Sequence, residues 1–328
     1  MKGDRSFIQY IFIFAIAFQC SKEPVLINSE NNPAESHKDI VIKVKFSPNG
    51  KILASGGNDS DLILWDGQNG KFIRLLQGDY DKIFDIAFLE SNHEIFTANY
   101  EGSIITWDDY KGIKKTERLE NNFISDFDFY QPGGFFIASS WDTSILVLKI
   151  QDHSLIKKCI SEDYKIRTIG YSEKTKSIYA GTASGNLIRW DFDQCAHGIN
   201  FSQNIHNDAV ISIDINDSLN LFVSSSADGE VKIFNLDTLK ETATLKGHKS
   251  SVNSVKIIPQ LQKIASADKD GKIFFWDIKT HDKVILTAHT DPINSIDVSP
   301  DGKLLASGSS DRTVKLWNIK KIYAASSK

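Results

Sequence analysis

The sequence predicts an all-β fold, a seven-bladed β-propeller of four-stranded antiparallel blades, and three observations predict it. A short apolar strand closed by Trp-Asp or a near equivalent recurs every 41–44 residues, with Trp65, Trp107, Leu148, Trp190, Phe234, Trp276 and Trp317 at the closing positions. The stretches between them carry the spaced apolar positions of half-buried strands, as in Val252, Val255 and Ile257 and again in Ile293, Ile296 and Val298. Turn-forming runs punctuate these stretches, among them Ser47-Pro48-Asn49-Gly50, Gln131-Pro132-Gly133-Gly134 and Ser299-Pro300-Asp301-Gly302. A four-stranded sheet cannot bury both its faces alone, so seven units stack on one another and close radially into one domain.

Residues 1–19 have the pattern of a signal peptide. Lys2 and Arg5 precede the run Phe7 to Phe18, which is interrupted only by Gln9. Its twelve residues make roughly 18 Å of helix, short of the ~30 Å hydrocarbon thickness of a bilayer, which favours a signal peptide over a span. Cys20 follows, with polar Ser21-Lys22-Glu23-Pro24 after it. This arrangement resembles the lipobox of bacterial lipoprotein signal peptides, and the resemblance implies lipid on Cys20 and an exported cell-envelope lipoprotein. The triplet Ala15-Ile16-Ala17 offers a second outcome, cleavage after Ala17 and a soluble secreted or periplasmic protein. Without residues 1–19 the chain holds 36 basic against 41 acidic residues, so nothing attracts it to anionic headgroups and any membrane attachment is through the lipid. The whole chain, with 38 Lys+Arg against 42 Asp+Glu, is not a strongly basic nucleic-acid binder.

Residues 20–36 serve as a lipid tether, as the closing strand of the last blade, or as both. Val25-Leu26-Ile27 competes for that closing place with Ile322-Tyr323-Ala324 at the carboxyl end. The propeller occupies residues 37–328.

Counting back 28 residues from each closing position gives His37, Asp79, Glu120, Glu162, His206, His248 and His289. Counting back six gives Asp59, Glu101, Asp142, Ser184, Asp228, Asp270 and Asp311. With these offsets the chain resembles the WD-repeat β-propeller family over roughly residues 37–323. In that family a His, a Ser, an Asp and the closing Trp form a structural hydrogen-bond chain. Carried onto this sequence, the resemblance implies four such chains: His37, Ser55, Asp59, Trp65; His206, Ser224, Asp228; His248, Ser266, Asp270, Trp276; and His289, Ser307, Asp311, Trp317. Phe234 replaces the Trp in the fifth blade. Four copies of a Ser-His-Asp trio argue against a hydrolase, because a fully satisfied polar network fixes loop geometry without chemistry. No Gly-x-Ser-x-Gly elbow, phosphate-binding loop or zinc helix is present, and no metal or cofactor is expected. Cys159 and Cys195 fall in different blades, and an oxidising compartment would allow them to pair.

The resemblance also places the loops before the first strand and between the second and third strands on one face, where partners dock. In blades 2 to 4 these loops carry Tyr80, Lys82, Tyr100, Phe123, Trp141, Tyr164 and Arg167, the aromatic and cationic composition of an interface hot spot. The competing account has some of these rings folding inward to compensate for the missing networks. Protein or peptide partners of a monomeric, non-enzymatic scaffold are the leading expectation. A ligand-binding or hydrolytic propeller with an acidic central site at Asp81, Glu101, Glu120 and Glu162 is the alternative.

Overall fold

The repeat forms seven four-stranded antiparallel sheets, each with its strands in chain order from the centre outward except the last. The computed structural model describes residues 25–26, 36–77, 82–89, 94–108, 112–119, 124–140, 143–161 and 164–326. Blade 1 shows how the sequence dictates the unit. Its strands Val41–Phe46, Ile52–Gly57, Asp61–Asp66 and Phe72–Gln77 are joined by short turns. At the first turn the Gly50 N–H donates to the Ser47 carbonyl at 2.8 Å, and Gly50 takes the left-handed φ of 68° that a side chain disfavours.

The innermost strands are Val41–Phe46, Ile83–Phe88, Ile124–Tyr130, Ile166–Ser172, Val210–Asn216, Val252–Ile258 and Ile293–Val298. Each lies beside the innermost strand of the next blade, and the seventh returns to the first. Every one carries a register shift one residue after its start, between Val41 and Lys43 in blade 1 and between Ile293 and Ser295 in blade 7. Such a bulge re-aims the side chains that follow it. The third and fifth residues of each strand consequently face the ring's axis.

The core is seven layers, one between each pair of neighbouring blades. The layer joining blades 7 and 1 packs Val41, Val44, Leu53, Ile63 and Trp65 against Ala306, Val314 and Leu316. Close approach there needs a residue without a side chain. A Cβ on Gly308 would lie 2.6 Å from the Val41 Cγ1 and 2.9 Å from the Val44 Cγ1.

Val25–Leu26 supplies the outermost strand of blade 7, with Val25 opposite Leu316 and Leu26 opposite Lys315. The carboxyl-terminal alternative does not form. Ile319–Ser326 is an α-helix, and Ile319 and Ile322 turn into the layer between blades 6 and 7. Apolar residues at the helical spacing of three thus bury one face of a helix that a strand assignment would have split across two faces. Among the described residues no helix is long and apolar enough to cross a membrane. Cys159 and Cys195 form a disulfide between blades 3 and 4.

The Gly308→Val variant forces branched carbons into Val41 and Val44. Overpacking of this kind costs about 1–3 kcal/mol, so its thermal unfolding midpoint should fall below that of the native chain. An unchanged midpoint would mean that blades 7 and 1 are not in tight contact.

Candidate functional site

Four histidines sit where a loop enters a blade, and their ring nitrogens have defined partners. In blade 1 the His37 Nδ1 lies 2.9 Å from the Asp59 Oδ2, its Nε2 lies 2.7 Å from the Ser55 Oγ, and the Trp65 indole N–H donates to that Oγ at 2.8 Å. A carboxylate only accepts, so Nδ1 carries the proton and Nε2 accepts from the serine hydroxyl. Blade 7 repeats the chain through Trp317, Ser307, His289 and Asp311 at 2.9, 2.7 and 2.8 Å. Ser55 and Ser307 are fully buried, with the hydroxyl proton held by histidine and a lone pair held by the indole. Neither has a free face for a substrate.

Blade 5 keeps His206, Ser224 and Asp228 but has the buried Phe234 in place of the indole donor. Blade 6 differs from the expected pattern. The His248 Nδ1 meets the Asp268 Oδ2 at 2.6 Å, and Asp270 is exposed. The physical reason is the residue that ends the second strand. In blades 5 and 7 it is Ser226 or Ser309, whose hydroxyl accepts the turn's N–H. In blade 6 it is an aspartate, which accepts the N–H groups of Asp270 and Lys272 with one oxygen and binds His248 with the other. His248 and Trp276 still meet at the Ser266 Oγ.

These chains control ionisation. Burial lowers the His206 and His289 values against the pull of Asp228 and Asp311, which keeps both rings neutral. Burial alone would raise Asp311, but hydrogen bonds from His289 and from the Thr313 hydroxyl and N–H outweigh it and hold the carboxyl below its ordinary value. His206, Asp228 and Glu230 lie close enough to share a metal ion, but both His206 nitrogens already have partners in the network.

Blades 2 to 4 are held differently. The Trp107 indole donates to the Thr97 hydroxyl at 2.8 Å. Ala138 and Ala180 stand at the serine position of blades 3 and 4, and the Trp190 indole reaches the Ile160 carbonyl instead, at 3.4 Å. Of the residues expected to form a docking patch, Tyr80, Phe123 and Trp141 lie outside the described residues, as do Asp81, Glu120, Glu162 and Cys20. Tyr100 is 56% exposed and leans on Phe84 with ring centroids 5.9 Å apart. Tyr100 and exposed Arg167 both line a cavity of about 620 Å³ at the mouth of the axial channel. Tyr164 folds inward against the core between blades 3 and 4. Lys82 is exposed, and neither it nor Glu101 lines the channel or its mouth.

Below the mouth is a second cavity of about 340 Å³, and the groups lining it were not anticipated. Lys43, Asp85 and Asp126 face it at the third position of their strands, and Lys45, Asp128, Asp214 and Lys256 face it at the fifth, the position that Asp297 holds in blade 7. Among the described residues the acidic centre is therefore built from the innermost strands, and Glu101 is not part of it. Its register was countable: these residues stand 22 and 20 before the closing positions. The acids reach across blades. Asp85 accepts the Phe127 N–H at 3.0 Å, Asp126 the Ile169 N–H at 3.0 Å, Asp214 the Ile257 N–H at 2.7 Å and Asp297 the Phe46 N–H at 2.8 Å. Lysines take the remaining oxygens: Lys43 lies 2.6 Å from Asp85 and 3.7 Å from Asp126, and Lys256 lies 3.0 Å from Asp214. Burial first, and then the neighbouring Asp85 charge, push the Asp126 carboxyl up to about 8.

A ring of seven four-stranded repeats with structural polar chains around an axial channel defines a β-propeller. The WD domain, G-beta repeat family model matches residues 32–66, 200–235, 239–277 and 281–318. These are blades 1, 5, 6 and 7, the blades that have the histidines. The matched repeats and the seven-bladed ring together support the WD-repeat β-propeller family for this chain. Similar proteins include autophagy-related protein 16 of Arabidopsis thaliana, 24% identical over 75% of this chain and 49% of the relative. Another is a WD repeat-containing protein WDS homolog of the same plant, 27% identical over 74% of this chain and 47% of the relative. WD repeat-containing protein 1-B of Xenopus laevis is 34% identical over 47% of this chain and 26% of the relative. The chain spans about half the length of the first two.

Two predictions follow from these geometries. Ser307→Ala leaves the His289 Nε2 and the Trp317 indole without partners, at about 1–3 kcal/mol for each buried group. Ser224→Ala strands only His206, so thermal unfolding should show the smaller loss for Ser224→Ala. Equal losses would argue that the indole bond is immaterial. Asp126 binds its proton more tightly folded than unfolded, so its contribution to stability is full below its ordinary value of 3.8 and lost as pH rises through about 8. Asp126→Asn should gain stability relative to the native chain between pH 5 and about 8.5, read from melting curves across that range. A constant difference would show that Asp126 is ionised throughout.

Proposed function

We propose that the protein is a non-enzymatic scaffold of the cell envelope that docks protein or peptide partners at the mouth of its axial channel. The observation that carries this is the mouth itself. A concavity of about 620 Å³ brings exposed Tyr100 and Arg167 together with Phe84, Ile42 and Ile211 on a ring whose four network histidines are already paired with serines. Exposed aromatic and guanidinium groups over a rigid support are what interface hot spots are made of. WD-repeat relatives typically serve as protein-interaction scaffolds, which supports the same reading. Export is supported by the apolar run before Cys20 and by the disulfide, since such bonds persist in oxidising compartments.

The acidic channel gives the competing ligand-binding or hydrolytic account its one observation. Its carboxylates are tied to backbone N–H groups and lysines, which leaves them poorly placed to act as acid or base.

Crosslinking followed by mass spectrometry on the native chain should give partner crosslinks concentrated around the mouth. The Tyr100→Ala/Arg167→Glu variant should lose them with its melting temperature unchanged. Crosslinks that persist in the variant or cluster elsewhere would refute docking at the mouth. Intact mass of the mature protein tests the envelope assignment: a diacylglyceryl group on Cys20 supports it, and an unprocessed Met1 terminus overturns it.

A further inference from the structure

We propose that the Cys159–Cys195 disulfide is a redox-dependent clamp that holds blades 3 and 4 together in place of the polar chains those two blades lack. Three observations converge on this pair of blades. Ala138 and Ala180 remove the serine hydroxyl from both, and Leu148 removes the indole from blade 3. The bond joins the same two blades, from the outer strand Leu155–Ile160 of blade 3 to the short 3₁₀ segment Phe192–His197 of blade 4. That segment lies in an unusually long connection. Residues 192–200 separate the third and fourth strands of blade 4, against 67–71, 150–154, 236–240 and 278–282 in blades 1, 3, 5 and 6. The added length carries Cys195 across to its neighbour.

The surrounding contacts seat the segment on blade 3. Phe192 stacks on Phe135 with ring centroids 4.6 Å apart, and Lys157 lies 4.2 Å over the Phe192 ring while donating to its carbonyl at 2.9 Å. Cys159 is fully buried in a strand whose neighbours Leu155, Ile156 and Ile160 are exposed, and Cys195 is fully buried as well. A buried cysteine inside an exposed outer strand is explained by its partner. The bond closes a loop with a sequence separation of 36 residues, so it restrains the unfolded chain as well as the folded blades.

Forming the bond takes one proton and one electron from each thiol. The two electrons pass to a disulfide oxidant, such as that of a thiol oxidase, which is left as a dithiol. Dithiothreitol reverses the step and ends as its cyclic disulfide. The clamp stands independently of docking at the mouth.

The test compares the native chain and the Cys159→Ser/Cys195→Ser variant with and without dithiothreitol, with alkylation and mass spectrometry to verify full reduction. Reduction should lower the native melting temperature by roughly 5–10 °C, and the double variant should start low and not respond. Hydrogen exchange after reduction should rise in residues 155–160 and 192–200 and stay unchanged around Ser266 and Ser307. A melting temperature that survives complete reduction, or exchange that rises evenly around the ring, would overturn the clamp. Two free thiols at these positions in protein matured under oxidising conditions would also overturn it.

Discussion

The ring depends on satisfying the free edge of each innermost strand. A strand at a sheet edge presents backbone N–H groups that no further strand can pair, and in a propeller seven such edges face one axis. Here the solution runs one way around the ring. Asp85 reaches blade 3, Asp126 and Asp128 reach blade 4, Ser212 and Asp214 reach blade 6, Ser254 reaches blade 7, and Ser295 and Asp297 reach blade 1. The bulge near the start of each strand aims these side chains at the next blade. Where the lining residue is Lys43 or Lys256 it has no acceptor to offer, and it instead neutralises an acid that is already bound across blades. The channel charges are thus primarily the means of closing the ring.

This explains which residues could be read from the sequence and which could not. The closing Trp, the His 28 residues earlier and the Asp six residues earlier are chemically distinctive, and their recurrence exposes seven units and the polar chains. The channel positions recur just as regularly, but Lys, Asp, Ser, Thr, Gly and Ala all occur at them. Composition varies there because several side chains can accept an N–H and a small residue can simply pack, as Gly170 does against Ile215. Asp268 escaped for the opposite reason: a fixed offset selected Asp270, whereas the reach of a carboxylate two residues earlier decided which one met His248. The inward turn of Tyr164 depends on the layer between blades 3 and 4, which no local pattern displays.

The buried ions of the channel are weak evidence for stability in themselves. Removing two charges from water costs several kcal/mol for each ion, and their attraction repays that only when the remaining lone pairs are also satisfied. Asp85 meets this condition, with Lys43 on one oxygen and the Phe127 N–H on the other. Asp126 meets it less well, since it shares Lys43 and faces Asp85, and the strain is relieved by retaining a proton. An acid held in this way orders the blades without offering a reactive lone pair to a bound molecule.

Blades 2 to 4 are where these constraints loosen and specificity can be built. Blades 1, 5, 6 and 7 fix their loops with histidine. Giving up the histidine frees the loop positions for other side chains, and the mouth gains exposed Tyr100 and Arg167 on that side. The loss must be offset within the same blades if the ring is to stay closed. Thr97 keeps the indole bond in blade 2, while blades 3 and 4 have a covalent bond and a seated aromatic segment on the outer side. A rigid outer clamp and a variable mouth are compatible because the clamp lies on the outermost strand of blade 3 while Tyr100 and Arg167 lie nearer the axis, on blades 2 and 4. The sector that departs most from the repeat can therefore present a distinctive surface without loosening the ring that carries it.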